Sequence, residues 1–226
     1  MLPLRDNVPT RSRPIVTYAL ILANVLVWVL YQLPDLQGSV DELAYHPCEV
    51  EGSCPTVGQG WPVTAVTSMF LHGSWAHLLG NMLFLWIFGN NVEDLLGKVR
   101  FLLVYLAGGL AATVLQTYIT LFFANELDAT IPTVGASGAV SAVLGAYFVL
   151  LPRAKVLTLI LVFLRELPAG FFLLVWFGFQ LLDGSTALAH PEERGGVAFF
   201  AHVGGFVFGA LTAKPLQQRQ PLAPTS

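Results

Sequence analysis

Long apolar stretches without charged residues dominate the pattern along the chain. A membrane-spanning helix needs about 20 mostly apolar residues. Six segments are free of Asp, Glu, Lys and Arg and have close to that length: Ile15–Leu33, His72–Val92, Phe101–Ala124, Ile131–Leu151, Leu167–Leu182 and Gly195–Ala213. The pattern therefore predicts six membrane-spanning helices.

One further apolar segment, Val156–Leu164, is too short to span a bilayer. If it were joined to the segment that follows, Arg165 and Glu166 would lie near the middle of the bilayer. A charged residue at that depth costs about 2.5–3.5 kcal/mol on the insertion scale. We therefore predict that this segment lies at the membrane interface or packs beneath the helices.

Charged residues are few, which narrows the class of protein. Asp, Glu, Lys and Arg make up 11% of the 226 residues, and hydrophobic residues make up 55%. A typical soluble domain is about 25% charged. The composition argues against a disordered chain, a nucleic-acid-binding protein and an ordinary soluble enzyme. It predicts a protein whose surroundings are a lipid bilayer.

The basic residues are distributed unevenly between the loops. Lys and Arg are enriched in the cytoplasmic loops of membrane proteins. With six helices, every basic residue except Arg194 falls on one side, whereas acidic residues such as Asp35, Glu49 and Asp183 fall on the other. This bias predicts that both termini are cytoplasmic. The first apolar segment is long for a signal peptide and no small-residue cleavage site follows it, so we expect it to remain as an anchor.

The predicted organisation is one all-α domain, a six-transmembrane-helix bundle over residues 14–213 with an outer loop at 34–66. Residues 1–13 and the Pro- and Gln-rich residues 214–226 are expected to be disordered cytoplasmic tails. The apolar faces of the helices can be buried only against one another and in lipid, which favours a single domain over several.

Polar side chains in three of the predicted helices lie at a common depth. The second, fourth and sixth helices all run from the outside inward. His77 and Asn81 lie near the outer end of the second helix, Ser137 near that of the fourth and His202 near that of the sixth. Ionisable residues inside a membrane are costly and are usually functional. We therefore predict that these side chains form one site in the outer third of the membrane.

The predicted spans contain no Asp or Glu, and this limits the chemistry of the site. An intramembrane aspartyl protease is excluded, and the chain has no His-Glu-x-x-His motif of a zinc protease. A proton-coupled transporter is disfavoured because such proteins usually rely on membrane carboxylates. Nucleophilic catalysis would therefore use a serine–histidine dyad, with no metal and no cofactor.

The residues around Ser137 and His202 suit such a dyad. Ser137 begins a helix, where free backbone N–H groups can bind an oxyanion. Gly205 and Gly209 form a small-xxx-small pair after His202, and Gly145 lies on the same face as Ser137, so the two helices can pack closely. Each motif alone is also compatible with simple helix packing, and their conjunction favours a site.

Together these motifs resemble the rhomboid intramembrane serine proteases over nearly the whole chain. The resemblance rests on His72…His77-x3-Asn81, on Gly135-Ala136-Ser137-Gly138 and on Ala201-His202-x2-Gly205-x3-Gly209. It implies that Ser137 is the nucleophile and that His202 is the general base and then the general acid. It also implies that His77, Asn81 and the Ser137 N–H form the oxyanion hole, and that His72 orders the first loop.

The resemblance further implies a partner and a location. Transmembrane proteins would be the substrates and would reach the site past a gate formed by the fifth helix. The site would open to the extracytoplasmic side of the cell membrane, which in a bacterium is the plasma membrane. The sequence departs from many relatives in having Val63-Thr64 where a Trp-Arg pair is common, and Ser141 where a tyrosine stacks on the catalytic histidine. His202 must therefore be oriented in a different way.

Cys48 and Cys54 lie six positions apart in the outer loop. A disulfide is favoured there because the outer side is oxidising. A metal site that includes His46, or two free thiols, are the alternatives.

Two other functions stay open on this architecture. One is a non-catalytic binder or chaperone of membrane proteins, and the other is a small-molecule channel or transporter. The lack of carboxylates in the predicted spans counts against transport.

Overall fold

The computed structural model describes residues 1–56, 58–189 and 198–218. The chain is mostly helical, as predicted. Four of its helices are long and apolar enough to cross a membrane: Ile15–Gln32, Lys98–Phe123, Ala169–Thr186 and Phe199–Leu216. These four match the first, third, fifth and sixth predicted spans, and they make the chain a multi-pass membrane protein.

The helices follow one another in a regular order. Helix α1 (Ile15–Leu26) continues as a π-helical turn over Val27–Gln32; the outer loop then forms α2 (Leu36–Leu43), α3 (Cys48–Glu51), α4 (Trp61–Thr67) and a 3₁₀ turn at Ser68–Phe70. Next come α5 (Trp75–Phe84), a π-helical turn at Leu85–Gly89, α6 (Asn90–Leu96), α7 (Lys98–Phe123) and a 3₁₀ turn at Glu126–Thr130. The last three helices are α8 (Ser137–Leu150), α9 (Ala169–Ala189) and α10 (Phe199–Leu216).

The second and fourth predicted spans differ from the long helices. The second corresponds to α5, the π-helical turn and α6 in one run. The fourth corresponds to α8, which has 14 residues and begins at Ser137 rather than at Ile131. The residues before Ser137 are extended because Thr133 pairs with Tyr45 of the outer loop in an antiparallel bridge.

The fifth helix is longer than its predicted span. Helix α9 continues to Ala189, beyond the predicted end at Leu182. Asp183, one residue beyond the predicted span, therefore lies within the helix, near the end of its apolar stretch Ala169–Thr186. The predicted start of the sixth span, Gly195, lies outside the described residues.

A three-stranded antiparallel sheet corrects the all-α prediction. Strands β1 (Leu2–Asp6), β2 (Lys155–Ile160) and β3 (Phe163–Pro168) are ordered β1-β2-β3. The segment Val156–Leu164 cannot span the membrane, and hairpin pairing satisfies its backbone polar groups instead. Residues 2–6 pair with the same hairpin, so this part of the predicted disordered tail is a strand. At the other end of the chain, α10 extends to Leu216, three residues into the second predicted tail.

Polar contacts hold the sheet, the start of the chain and the residues that follow α10 together at one end of the bundle. The Asp6 carboxylate accepts hydrogen bonds from Tyr147 Oη of α8, at 2.6 Å, and from the Asn91 amide of α6. Buried Glu93 accepts from the N–H groups of Val16 and Thr17 at the start of α1. Near the other terminus, the N–H of Gln218 donates to the Leu95 carbonyl oxygen. The starts of α1 and α7 and the ends of α6, α8 and α10 therefore share one face.

Replacing Asp6 with alanine should lower the free energy of unfolding by about 1–3 kcal/mol, because the buried Tyr147 hydroxyl loses its acceptor. Burial raises the pKa of Asp6 above its ordinary value. The folded protein therefore favours the protonated carboxyl group of Asp6. The resulting gain in the free energy of unfolding is present at low pH and is lost as pH rises through the raised pKa. Asp6→Asn keeps an acceptor oxygen and should cost less; equal losses in the two variants, measured by thermal unfolding in detergent, would contradict this account.

Three glycines allow α8 and α10 to pack against each other with their backbones in contact. A Cβ atom on Gly205 would collide with the carbonyl oxygen of Gly138, and one on Gly209 with that of Ala142. From the other side, a Cβ on Gly145 would collide with the Phe206 carbonyl oxygen. The residues of α8 from Gly138 to Tyr147 are all buried, so this helix lies at the centre of the bundle.

At the opposite end, the outer loop is fastened to the helices through Tyr45. Its hydroxyl is 2.7 Å from Thr117 Oγ1 on α7, and its backbone exchanges two hydrogen bonds with Thr133. These contacts anchor a loop that has Val63-Thr64 in place of the common Trp-Arg pair. Cys48 and Cys54 are joined in a disulfide, so neither thiolate is available to hold a metal.

Candidate active site

A cavity of about 400 Å³ opens between the helices on the side of the outer loop. It brings together four of the predicted site residues, Ser137, His202, His77 and Asn81, from α8, α10 and α5. The remaining lining residues are Ala76, Gly80, Phe84, Thr133, Val134, Val140, Ser141, Leu144, Trp176, Gln180 and Ala198. No described residue that lines the cavity is acidic.

Ser137 is the first residue of α8, as its sequence context predicts. The first hydrogen bond of the helix runs from Val140 N to the Ala136 carbonyl oxygen, at 2.8 Å. The N–H groups of Ser137 and the two residues after it precede this bond, so the helix itself does not use them. A hydroxyl and a set of backbone donors therefore occupy the same helix end.

Gly135 allows His77 to approach the loop that carries Ser137. The backbone of Gly135 has φ +128°, a conformation that favours glycine. A Cβ atom at this position would lie 2.7 Å from Nε2 and Cε1 of His77. The His77 imidazole thus lies where only a glycine leaves room for it. Ser74 supports this position by accepting a hydrogen bond from His77 N at 3.1 Å, which caps the start of α5.

His72 is fully buried and lies next to Asn81, which lines the cavity. The Asn81 amide nitrogen lies 3.1 Å from His72 Nε2, and the rings of His72 and His77 are 5.1 Å apart, edge to face. Gln32, at the end of the first membrane helix, accepts from His72 N at 2.8 Å and donates to His72 O at 3.0 Å. Contacts to both the backbone and the side chain of His72 therefore hold the turn before α5 in place.

The His202 ring is restrained by α9. Its Nδ1 lies 2.6 Å from Gln180 Oε1, and its ring centroid lies 6.1 Å from that of Trp176. Ser141, which stands where a tyrosine is common, donates to the Ser137 carbonyl oxygen at 2.6 Å instead. His202, expected to be oriented without the usual tyrosine, thus contacts Gln180 and Trp176, which the sequence did not identify as its partners.

Within the described part of the chain, Ser137 Oγ and the His202 ring share the cavity without a hydrogen bond between them. Catalytic hydrogen bonds are often long without substrate and tighten when it binds. The cavity therefore holds the Ser137 hydroxyl and the His202 imidazole, with the neutral acceptor Gln180 beside the imidazole. His77, Asn81 and the first N–H groups of α8 add hydrogen-bond donors. Such a set can perform acyl transfer without a metal.

Comparisons with known proteins agree with the sequence motifs. A family model described as "Rhomboid domain" matches residues 58–219, more than half of the chain. Rhomboid protein 1, mitochondrial, of Saccharomyces cerevisiae is 29% identical over 194 residues, which are 86% of this chain and 51% of the yeast protein.

Two further relatives come from a fish and a bacterium. Presenilin-associated rhomboid-like protein A, mitochondrial, of Danio rerio is 33% identical over 150 residues, covering 64% of this chain and 35% of that protein. Rhomboid protease GluP of Bacillus subtilis is 29% identical over 206 residues, covering 91% of this chain and 35% of that protein. The chain spans about half or less of the length of these three relatives.

Proposed function

The chain belongs to the rhomboid family, and from this premise we propose that it is an intramembrane serine endopeptidase. It hydrolyses peptide bonds in or near the transmembrane segments of membrane-protein substrates. The nucleophile is Ser137 and the general base is His202. The observation that carries the proposal is the cavity in which separate helices bring these two residues together with His77 and Asn81.

The proposed reaction follows from the groups in the cavity. Ser137 Oγ attacks the carbonyl carbon of the scissile bond while His202 Nε2 takes its proton. The oxyanion accepts hydrogen bonds from the Ser137 N–H and the side chains of His77 and Asn81. Collapse breaks the C–N bond, and His202 returns the proton to the leaving amine. Water, activated by His202, then hydrolyses the acyl ester and restores Ser137.

The proposed topology has six spans, with α5–α6 and α8 added to the four long helices. The pairing of β1 with β2 supports it, because this pairing puts the start of the chain on the same side as the end of α8. The basic residues outside the helices lie mostly on that side, which we assign to the cytoplasm. The cavity then opens to the extracytoplasmic side of the membrane. In a bacterium this membrane is the plasma membrane.

Labelling by a fluorophosphonate probe tests the proposed nucleophile. The purified protein in lipid bicelles should cleave a model transmembrane substrate, and the probe should stop cleavage and modify Ser137, as mapped by peptide mass. Ser185→Ala removes a hydroxyl of α9 that bonds only its own helix and serves as the matched control, which should label normally. Substrate binding without cleavage or labelling would contradict the proposal and point to a non-catalytic binder.

A further inference from the structure

Gln180 is a half-buried hydrogen-bond partner of His202 that the proposed dyad does not use. It lies on α9, whereas His202 lies on α10, and Gln180 Oε1 is 2.6 Å from His202 Nδ1. The two helices are also packed together by Phe177 and Phe206, whose ring centroids are 4.6 Å apart. The contact therefore crosses from one helix to the next at a point where both are held.

We propose that Gln180 is a positioning residue, which accepts a hydrogen bond from Nδ1–H of His202 and thereby directs the unprotonated Nε2 toward Ser137. The proposal rests on the protease function inferred above. An amide oxygen is an acceptor only, so its partner Nδ1 must carry the proton. Neutral imidazole has a single ring proton, and Nε2 is then left with the lone pair that a general base needs.

A neutral acceptor suits this location better than a carboxylate. In serine proteases with a triad, a carboxylate bound to Nδ1 holds the imidazole in the required tautomer and orientation. Burying an unpaired carboxylate in an apolar environment is costly, whereas an amide oxygen has a smaller desolvation penalty. Gln180 can hold the tautomer at that smaller penalty, and the bond persists when His202 becomes imidazolium because Nδ1 remains a donor. No acidic side chain is among the described residues that line the cavity.

Trp176 completes the restraint on the ring. It precedes Gln180 by four residues, so the two side chains lie on one face of α9, and its ring is 6.1 Å from that of His202. Helix α9 is also the least buried of the four long apolar helices: 22% of the residues in its apolar stretch are buried, against 33% for α10. A movement of α9 away from α10 would separate Gln180 and Trp176 from His202. The position of α9 therefore affects whether the His202 ring is held in the orientation that a general base needs.

Gln180→Leu and Gln180→Glu test the proposal together. Leucine removes the acceptor at similar size and should lower kcat by about 10–100-fold with little change in KM, as for other partners that orient a functional imidazole. Glutamate keeps an acceptor and should recover most of kcat. The negative charge of glutamate favours the imidazolium form of His202, so the acid limb of the pH–rate profile should also move to higher pH. Besides His202, His77 is the other titratable side chain among the described residues that line the cavity.

Two controls separate this proposal from the protease function itself. Leu211→Ala changes an exposed residue of α10 that does not line the cavity and should leave kcat unchanged. Nitrogen NMR of the resting protein should show that Nδ1 of His202 carries the proton, and Gln180→Leu should show a mixture of the two tautomers. The His202 signal is assigned by its loss in His202→Ala. This readout needs no activity. An unchanged tautomer in Gln180→Leu, or a kcat equal to that of Leu211→Ala, would overturn the role of Gln180. An inactive wild-type protein with the expected NMR signals would overturn only the protease function.

Discussion

A Ser137→Ala variant should cleave a transmembrane substrate about 10⁵–10⁶-fold more slowly than the wild-type protein. Loss of the nucleophile in a serine protease removes the covalent route, and the oxyanion donors and binding groups then retain a rate advantage of about 10³–10⁴ over water. Substrate binding should persist, because alanine leaves the shape of the cavity nearly unchanged. Rates from single-turnover cleavage in bicelles, together with the dissociation constant for the uncleaved substrate, measure both quantities.

The variant Ser137→Ala/His202→Ala extends this prediction. Residues that act as one catalytic unit show strongly non-additive losses. The double variant should therefore be about as slow as either single variant, not slower by the product of the two effects. Additive losses would mean that Ser137 and His202 act independently, and undiminished cleavage by Ser137→Ala would contradict the assigned nucleophile.

The predictable part of the fold is the part that depends on local apolar length. The third span was predicted at Phe101–Ala124 and is found at Lys98–Phe123, because a long apolar run without charges specifies a helix by itself. Strand β1 was missed because its partner β2 lies about 150 residues away, and pairing over that distance leaves no trace in a local pattern. The extended residues before Ser137, which the predicted fourth span included from Ile131 on, depend likewise on a contact between Thr133 and the distant Tyr45.

The site shows the same division. Ser137, His202, His77 and Asn81 could be grouped from sequence because their depth along the helices follows from counting residues, and the structure places all four around one cavity. The role of Gln180 could not be found in this way, because the face that α9 turns toward α10 depends on tertiary packing. The available signal was a lone amide in an apolar segment, which predicts a polar partner without naming it.

A Gly205→Ala variant should lose about 1–3 kcal/mol of unfolding free energy and most of its activity. The added methyl group would collide with the Gly138 carbonyl oxygen, and a backbone atom cannot move aside as a flexible side chain can. Helix α10 would have to shift away from α8, and His202 would move away from Ser137 with it. Unfolding by sodium dodecyl sulfate in mixed micelles and the cleavage assay measure the two losses.

Gly178→Ala is the matched control for this change. Gly178 is also a helical glycine, but no atom lies within 4 Å of a Cβ added there. Alanine at such a position removes backbone entropy from the unfolded chain and should be neutral or stabilising by about 0.4–1 kcal/mol. The difference between the two variants thus isolates the close approach of α8 and α10 from the general effect of replacing a helical glycine. If Gly205→Ala were as stable and active as Gly178→Ala, the backbone contact between α8 and α10 could not be what holds Ser137 and His202 in place.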